Sequence, residues 1–516
     1  MKRKLHGLLT LLLVLVVQIA FAQEKTVTGT VVDDEGLPLP GLNVIEKGTS
    51  NGVQTDFDGN YSITVAQGNV LVFSYVGFAK QEVTVGPADV IDVTMKVDAS
   101  ALEEVVVMGY VSKRREDLTG SAVQIGSEDI QQTPMATVDQ ALQGKVAGLQ
   151  ISSSSGTPGA VQDIRIRGIS SINAGNDPLY VIDGVPIINQ NAGQSGPGAD
   201  SGTSSLSTLA SLSSNDIASI TVLKDASATA SYGARGANGV IVITTKSGKS
   251  GKTSINVSSY YGFANNAIDG PDPLTAAERE ILYYESIMNT YGAETMEAAR
   301  EFEAANLGDY AGFVAWNEAG RPEGNWDEVV TNDNAPMQEH NISATGGDEN
   351  HTFYASLGYY DQEATVIASS FDRISGSLNF SKKISDNLEF STSNTASHTF
   401  QDGLLEGSAY FSSPHTAKYF MSPVDQPYNE DGSINLNTGV PNPLWVAQND
   451  IDESRLTRIL TNNSLAWQTP IENLSFTTRF SIDYQVFDYK TYNNRVLGDG
   501  DDTNGYGYNF NRTSAT

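Results

Sequence analysis

From Lys252 onward, apolar side chains recur at every second position, which fixes the backbone as extended and gives each segment one apolar and one polar face. In the first segment Ile255, Val257, Tyr261 and Phe263 share one face, and Ser254, Asn256 and Ser258 the other. Phe353, Ala355, Leu357 and Tyr359 likewise oppose Thr352, Tyr354 and Ser356, and Leu474, Phe476, Phe480, Ile482 and Tyr484 oppose Ser475, Arg479, Asp483 and Gln485. Seven such segments are predicted: 252–263, 338–346, 350–361, 371–381, 386–398, 455–468 and 472–486. A soluble sandwich alternates too, so the connections must discriminate. They run long, short, medium, short, long, short, with excursions of 74 and 56 residues at one end and turns such as Gly347–Glu349 and Thr469–Ile471 at the other. Membrane barrels have this parity, with tight inner turns and long outer loops.

The amino terminus sets the compartment. Lys2, Arg3 and Lys4 precede an apolar run from Leu8 to Ile19, and Ala20-Phe21-Ala22 forms an A-x-A cleavage site. That run is shorter than the roughly 20 residues a spanning helix needs, so residues 1–22 read as a secretory signal peptide. No other segment is comparably apolar, and membrane insertion would have to use strands. Removing the signal takes the formal net charge from −30 to −33, a surface that repels nucleic acid. With no cysteine, disulfides, a thiol nucleophile, thiolate metal sites and a lipoprotein anchor are all excluded.

Enzyme chemistry finds no footing. His340, His351, His398 and His415 are scattered, without H-E-x-x-H spacing, and no G-x-S-x-G elbow occurs. KSGKSGKTS imitates a phosphate-binding loop, but Lys246 stands where the first glycine belongs and strand alternation follows instead of a helix. The expectation is no catalytic residue, no cofactor and no metal.

Lys25 to Lys96 reads as a small β-sandwich, with Thr26–Val32, Tyr61–Ala66 and Val70–Tyr75 as strands between Gly, Asp, Asn and Pro clusters. TDFDGNYSI invites a calcium reading through Asp56 and Asp58, but Gly59 is fourth and Gln67 twelfth where an EF-hand needs Gly sixth and Glu twelfth. A turn is expected there. GTVVDDEGLPLPGLNVIEKGT and GVQTDFDGNYSITV resemble the carboxypeptidase D regulatory-like domain, which implies a noncatalytic accessory module.

Next comes LEEVVVMGY, residues 102–110, a run of β-formers behind two carboxylates and before the basic Lys113-Arg114-Arg115. It reads either as a last strand or linker, or as an extended peptide presented for strand addition to another protein. Glu116 to Lys246 then alternates strand and helix signals: a helix over Thr137–Val146 and strands over Asp163–Ser171, Leu179–Ile188 and Val240–Lys246, a compact α+β domain.

DIRIRGISSINAGNDPLYVIDGVPI followed by SITVLKDASATASYGARGANGVIVITTKSG resembles the plug of TonB-dependent outer-membrane receptors, in particular the SusC/RagA-like nutrient transporters. The resemblance implies a mostly β chain: signal peptide 1–22, sandwich 23–98, TonB box and linker 99–115, plug 116–250, and the first strands of an incomplete antiparallel outer-membrane β-barrel over 251–516. It makes Glu103, Glu104, Val105, Val106, Val107 and Met108 the partner-binding TonB box. The implied partners are TonB with its inner-membrane energising complex, a SusD-like surface lipoprotein, outer-membrane lipid and a bulky nutrient, an oligosaccharide or peptide. The sandwich and box would lie in the periplasm.

Seven strands cannot surround a plug of about 130 residues, since a plugged lumen goes with ~22, so the expectation is the front of a longer receptor. Composition marks Asn173–Asp177 and Asn189–Ser205 as moving parts of the plug. The first excursion, Ala264–Met337, starts a helix at a Thr275/Glu278 capping box and carries a net charge of −12, a solvated face or a means of steering cations. Two alternatives compete: a surface receptor or adhesin without transport, and an accessory part of a secreted enzyme.

Overall fold

The structure, a computed structural model, describes residues 24–516 except 35, 50, 76–77, 79, 97–104, 109–110, 115–121, 132–134, 154, 173–174, 188–204, 269, 404–413, 472–473 and 499. The signal peptide, Glu103, Glu104, the first two residues of the Asn173–Asp177 segment and all but the last residue of Asn189–Ser205 therefore lie outside the described residues. The described residues form two compact units: one runs to Val106 and includes Val111–Leu118, and the other comprises Val107–Tyr110 and Thr119–Thr516.

In the first unit, strands β1 (Glu24–Val32), β2 (Asn43–Glu46), β3 (Gly52–Gln54), β4 (Asn60–Ala66), β5 (Val70–Ser74), β6 (Gln81–Thr84) and β7 (Val93–Thr94) form two sheets, ordered β4-β1-β7 and β3-β2-β5-β6. Alternation in β4 turns Tyr61, Ile63 and Val65 inward and leaves Asn60, Ser62 and Thr64 outside. They meet Val27, Leu42, Val44, Leu71 and Phe73 in one apolar core, with Tyr61 and Phe73 edge to face at 5.4 Å. The expected turn stands where calcium was rejected. Asp56 Oδ1 accepts from the backbone N–H groups of Asp58 (3.0 Å) and Asn60 (2.8 Å), and Gly59 supplies the left-handed φ of 77°.

Strands β8 (Val105–Met108) and β9 (Val111–Arg114) pair only with each other among the described residues.

The second unit begins with the plug. Strands β10 (Ala122–Gly126), β13 (Leu179–Ile182), β14 (Val185–Pro186), β15 (Ile217–Leu223) and β16 (Val240–Thr245) build a mixed sheet ordered β10-β15-β16-β13-β14, beside a hairpin of β11 (Leu149–Ser153) and β12 (Gln162–Ile166). Strands β13 and β16 are parallel and covered on both faces, which explains their unbroken apolar runs LYVI and VIVI. Ile182, Ile241 and Ile243 face one cluster, and Val181, Val240 and Val242 the other. The helix predicted over Thr137–Val146 is a correction: only Gln140–Leu142 is helical, one 3₁₀ turn opened by the Asp139 side chain. Its spaced apolar residues Val138, Leu142 and Val146 are nevertheless all buried.

The wall is one antiparallel sheet in sequence order: β17 (Gly251–Ala264), β18 (Ala335–Gly347), β19 (His351–Glu363), β20 (Ser370–Ser385), β21 (Leu388–Asp402), β22 (Ile451–Gln468), β23 (Ser475–Asn493) and β24 (Tyr506–Ala515). Among the described residues it has eight strands rather than seven, because Tyr506–Ala515 pairs with β23. Among the described residues the sheet stays open, with β17 and β24 as its edges. Connections 265–334, 403–450 and 494–505 gather at one end, and 348–350, 386–387 and 469–474 at the other. Register aligns Val257, Ile342, Leu357, Gly376, Ala396, Ile459 and Tyr484 in one outward row. Ile255, Leu357 and Phe480 on this outer face are each about two-thirds exposed. Thr392, Asn394, Thr461 and Asn463 interrupt the apolar belt and satisfy one another, as in the 2.7 Å bond from Thr461 Oγ1 to Asn394 Oδ1.

The two long excursions fold together into a cap. Thr275 and Glu278 form the expected capping box at the start of the Ala276–Tyr291 helix. Trp326 of the first excursion packs on Met421 of the second and donates through Nε1 to the Ser422 carbonyl at 3.0 Å.

Candidate functional site

The plug meets the inward face of the wall through buried hydrogen-bonding groups and through one apolar cluster, in which Ala136, Leu206 and Ala210 of the plug pack on Phe371, Leu456 and Phe487 of the wall. Because side chains alternate along β20, Arg373, Ser375, Ser377 and Asn379 all point toward the plug while Ile374 and Leu378 point away. Arg373 is almost wholly buried, and its Nη1 donates to the plug carbonyls of Ala136 and Ala210, both at 3.0 Å. Asp216 of the plug accepts from Tyr354 Oη (2.9 Å), Ser356 Oγ (2.5 Å) and Ser377 Oγ (2.9 Å) of the wall. A buried carboxylate is tolerable when its lone pairs are satisfied in this way.

A second set of contacts lies around Asp183. Its carboxylate accepts from Thr245 N and from Ser393 Oγ at 2.6 Å, and its carbonyl accepts from Asn462 Nδ2 at 2.7 Å. Asn379 Nδ2 donates to the Lys246 carbonyl at 2.6 Å, and Gln401 Nε2 to the Pro158 carbonyl at 2.8 Å. Arg458 forms a two-pronged pair with Asp483, both bonds 2.9 Å, and reaches Ser211 Oγ of the plug at 3.3 Å. Close packing completes the seam at Gly159, where a Cβ would lie 2.5 Å from Phe371 Cδ2.

Inside the plug, burial pushes the Asp139 carboxyl up to about 6. It accepts from the Gln140 N–H at 3.2 Å.

Of the predicted partner-binding residues, Val105, Val106, Val107 and Met108 form strand β8, while Glu103 and Glu104 lie outside the described residues. The strand is not wholly unpaired: β9 occupies one of its edges. A two-stranded ribbon by itself is marginally stable and leaves its other edge open. At the seam, alternation puts Tyr354, Ser356 and Asp483 on the polar faces of their strands, but nothing in the sequence marks them as contacts of the plug. The one signal is a charge at an inward position, Arg373, Arg458 or Asp483, in strands otherwise lined by Ser, Thr and Asn.

The net charge of −12 on the first excursion is partly organised. Glu280 is buried and binds Arg300 Nη2 and Arg321 Nη2, each at 3.0 Å, which leaves the remaining carboxylates without those two cations. Among the described residues no group of three His, Asp or Glu could hold a metal ion, and no helix is long and apolar enough to cross a membrane.

Comparison with known proteins agrees with this geometry. Residues 114–240 match the TonB-dependent Receptor Plug Domain family, and residues 27–107 match the CarboxypepD_reg-like domain family. The chain is 38% identical over 421 residues to TonB-dependent receptor P26 of Formosa agariphila, covering 82% of this chain and 38% of that protein. It is 34% identical over 442 residues to TonB-dependent receptor SusC of Bacteroides thetaiotaomicron, covering 83% and 39% respectively. The RagAB peptide importer in its open-open state superposes with a TM-score of 0.63 at 27% identity, over 76% of this chain and 43% of that one. The chain thus spans about two fifths of the length of the curated relatives it matches. Plug, front module, wall and relatives together show that the chain belongs to the SusC/RagA-like TonB-dependent receptors.

Proposed function

We propose that the chain serves import of a bulky nutrient, an oligosaccharide or a peptide, across an outer membrane, with the work relayed by TonB. The observation that carries this reading is the seam: a folded plug held against the wall by hydrogen bonds and buried polar groups beside one small apolar cluster, in which Ala136, Leu206 and Ala210 of the plug meet Phe371, Leu456 and Phe487 of the wall. Polar contacts of this kind can be exchanged for water as they part, so the larger part of the cost of leaving the wall falls on the apolar cluster around Phe371 and Phe487. The apolar outer face of the same strands suits lipid.

TonB would engage Glu103, Glu104, Val105, Val106, Val107 and Met108 by adding a strand, for which β8 must use its open edge or part from β9. Many backbone bonds then share the load. A SusD-like surface lipoprotein would meet the outer end, where the cap stands, and the front sandwich would lie in the periplasm. The chain acts in this reading as a transporter and not as an enzyme.

Deleting Glu103–Met108 from the receptor in its host tests the reading. Uptake of the nutrient should be lost while the amount of receptor in the outer membrane stays unchanged. Unaltered uptake would overturn it, and would favour a receptor or adhesin that transports nothing.

A further inference from the structure

One end of the front sandwich is closed by two tight turns that lie against each other. In the first, Asp33 N donates to the Leu37 carbonyl at 2.9 Å and Leu37 N to Asp33 Oδ1 at 2.7 Å. The second is the Asp56–Gly59 turn, closed by the Gly59 N–H on the Asp56 carbonyl at 3.0 Å. Both hang on the end of β1: Val31 N donates to the Gly59 carbonyl at 2.8 Å, and the Val31 carbonyl accepts from Leu39 N at 3.1 Å. A Cβ on Gly59 would stand 3.1 Å from Pro38 Cβ, so the two turns are in contact.

Each turn carries an apolar side chain into solvent, Leu37 at 59% exposure and Phe57 at 92%. A lone exposed apolar residue needs no explanation. Two of them on adjoining turns with hydrogen-bonded backbones are different, because a few well-placed side chains carry most of the energy of an interface. Asp34, Asp56 and Asp58 are exposed on the same turns and give the apolar pair an acidic rim.

The chain leaves the sandwich at this end. Strand β7 runs parallel to β1, and Met95 N donates to the Val32 carbonyl at 2.8 Å, next to the Val31 bonds that hold both turns. Val105, the first residue of β8, follows Lys96 by nine residues, a tether of at most about 30 Å. Whatever grips β8 therefore works within reach of Leu37 and Phe57.

We propose that the Leu37/Phe57 end of the sandwich is a second docking surface for the protein that takes up the box, TonB in the reading above, so that sandwich and box are engaged together. The proposal rests on that reading for its partner. The short tether makes the second contact intramolecular, at an effective concentration on the order of millimolar, so even a weak patch adds to the grip. Glu103 and Glu104 of the box have the same sign as Asp34, Asp56 and Asp58, and one cationic surface complements both. A second copy of the chain fits less well, because it would set one acidic rim against another. The front module acquires a task in this way: it holds the partner while the box takes the load.

The test is binding of the purified periplasmic domain of the host's TonB to the purified full-length receptor, followed by biolayer interferometry at low and high salt. Phe57→Ser and Leu37→Ser should each weaken binding about fivefold to tenfold, chiefly through faster dissociation. Asp34→Lys combined with Asp58→Lys should slow association at low salt, and the difference from wild type should shrink at high salt. Unchanged thermal unfolding of each variant checks that the sandwich remains folded. Wild-type binding by both serine variants would overturn the proposal. So would self-association of the receptor that Phe57→Ser abolishes in sedimentation velocity, since the patch would then belong to a second copy. Deleting Glu103–Met108 separates this failure from that of the import reading. If the deletion removes binding while the serine variants bind like wild type, the box stands and the patch falls; if TonB binds the deleted receptor unchanged, the box reading fails and takes the proposed partner with it.

Discussion

Inside the front sandwich, Val27, Leu42, Leu71 and Phe73 are wholly buried against one another, whereas the buried groups between plug and wall include Arg373, Asp216, Ser356, Ser377 and Asn379. Separating the first set would expose apolar surface at roughly 25 cal/mol per Å², and nothing in water compensates for that. Separating the second exchanges hydrogen bonds for others of similar worth, provided water can enter. The difference teaches which surfaces are built to stay closed: the sandwich core holds a module together by apolar contact alone, whereas the seam mixes exchangeable polar contacts with one apolar cluster, as the proposed separation of plug and wall requires.

The largest effect is expected in the sandwich. Phe73→Ala should destabilise it by about 4 kcal/mol, seen as faster hydrogen exchange across β1, β4 and β5 with no change in the plug. Arg373→Ala should cost about 3 kcal/mol, because two plug carbonyls and Glu339, 4.0 Å from Nη2, lose their partner. Exchange should then rise at residues 136–142 and 205–216 while the wall strands stay protected. A loss of protection throughout the wall would break the comparison, since it would make the seam a core like any other.

Asp139 sharpens the contrast through pH. Its folded value of about 6 lies above the ordinary 3.8, so the folded plug binds the proton more tightly than the unfolded chain. Its contribution is therefore most favourable below about pH 4 and is lost as pH rises through 6, on the order of 3 kcal/mol in all. Asp139→Asn should flatten plug protection between these limits, as measured by exchange at several pH values. The smallest effect belongs to the exposed Lys47–Glu82 pair at 2.7 Å, where Lys47→Ala should shift the sandwich by less than about 0.5 kcal/mol in a denaturant titration.

Much of this architecture is legible in the sequence. Period-two alternation marks the wall strands, and the Asp56–Gly59 turn and the Thr275/Glu278 cap follow from local chemistry that needs no distant partner. The helix over Thr137–Val146 is a misreading because Val138, Leu142 and Val146 are buried by tertiary packing on a mostly nonhelical chain. Strands β10, β11 and β15 and the last wall strand escape the sequence pattern: β15, for instance, is short and mixed in polarity, IASITVL, and is defined by its neighbours. The seam is invisible because Ala136 and Ala210 contribute only backbone carbonyls, which carry no sequence signal at all.

The absence of cysteine allows the central claim to be tested with one engineered pair. Asp216→Cys with Ser356→Cys would join plug to wall across a 2.5 Å hydrogen bond. Uptake of the nutrient that the wild-type strain imports should stop on oxidation and return on reduction with dithiothreitol. Equal uptake by the oxidised and the dithiothreitol-treated receptor would contradict the account, because the plug would then have no need to leave the wall.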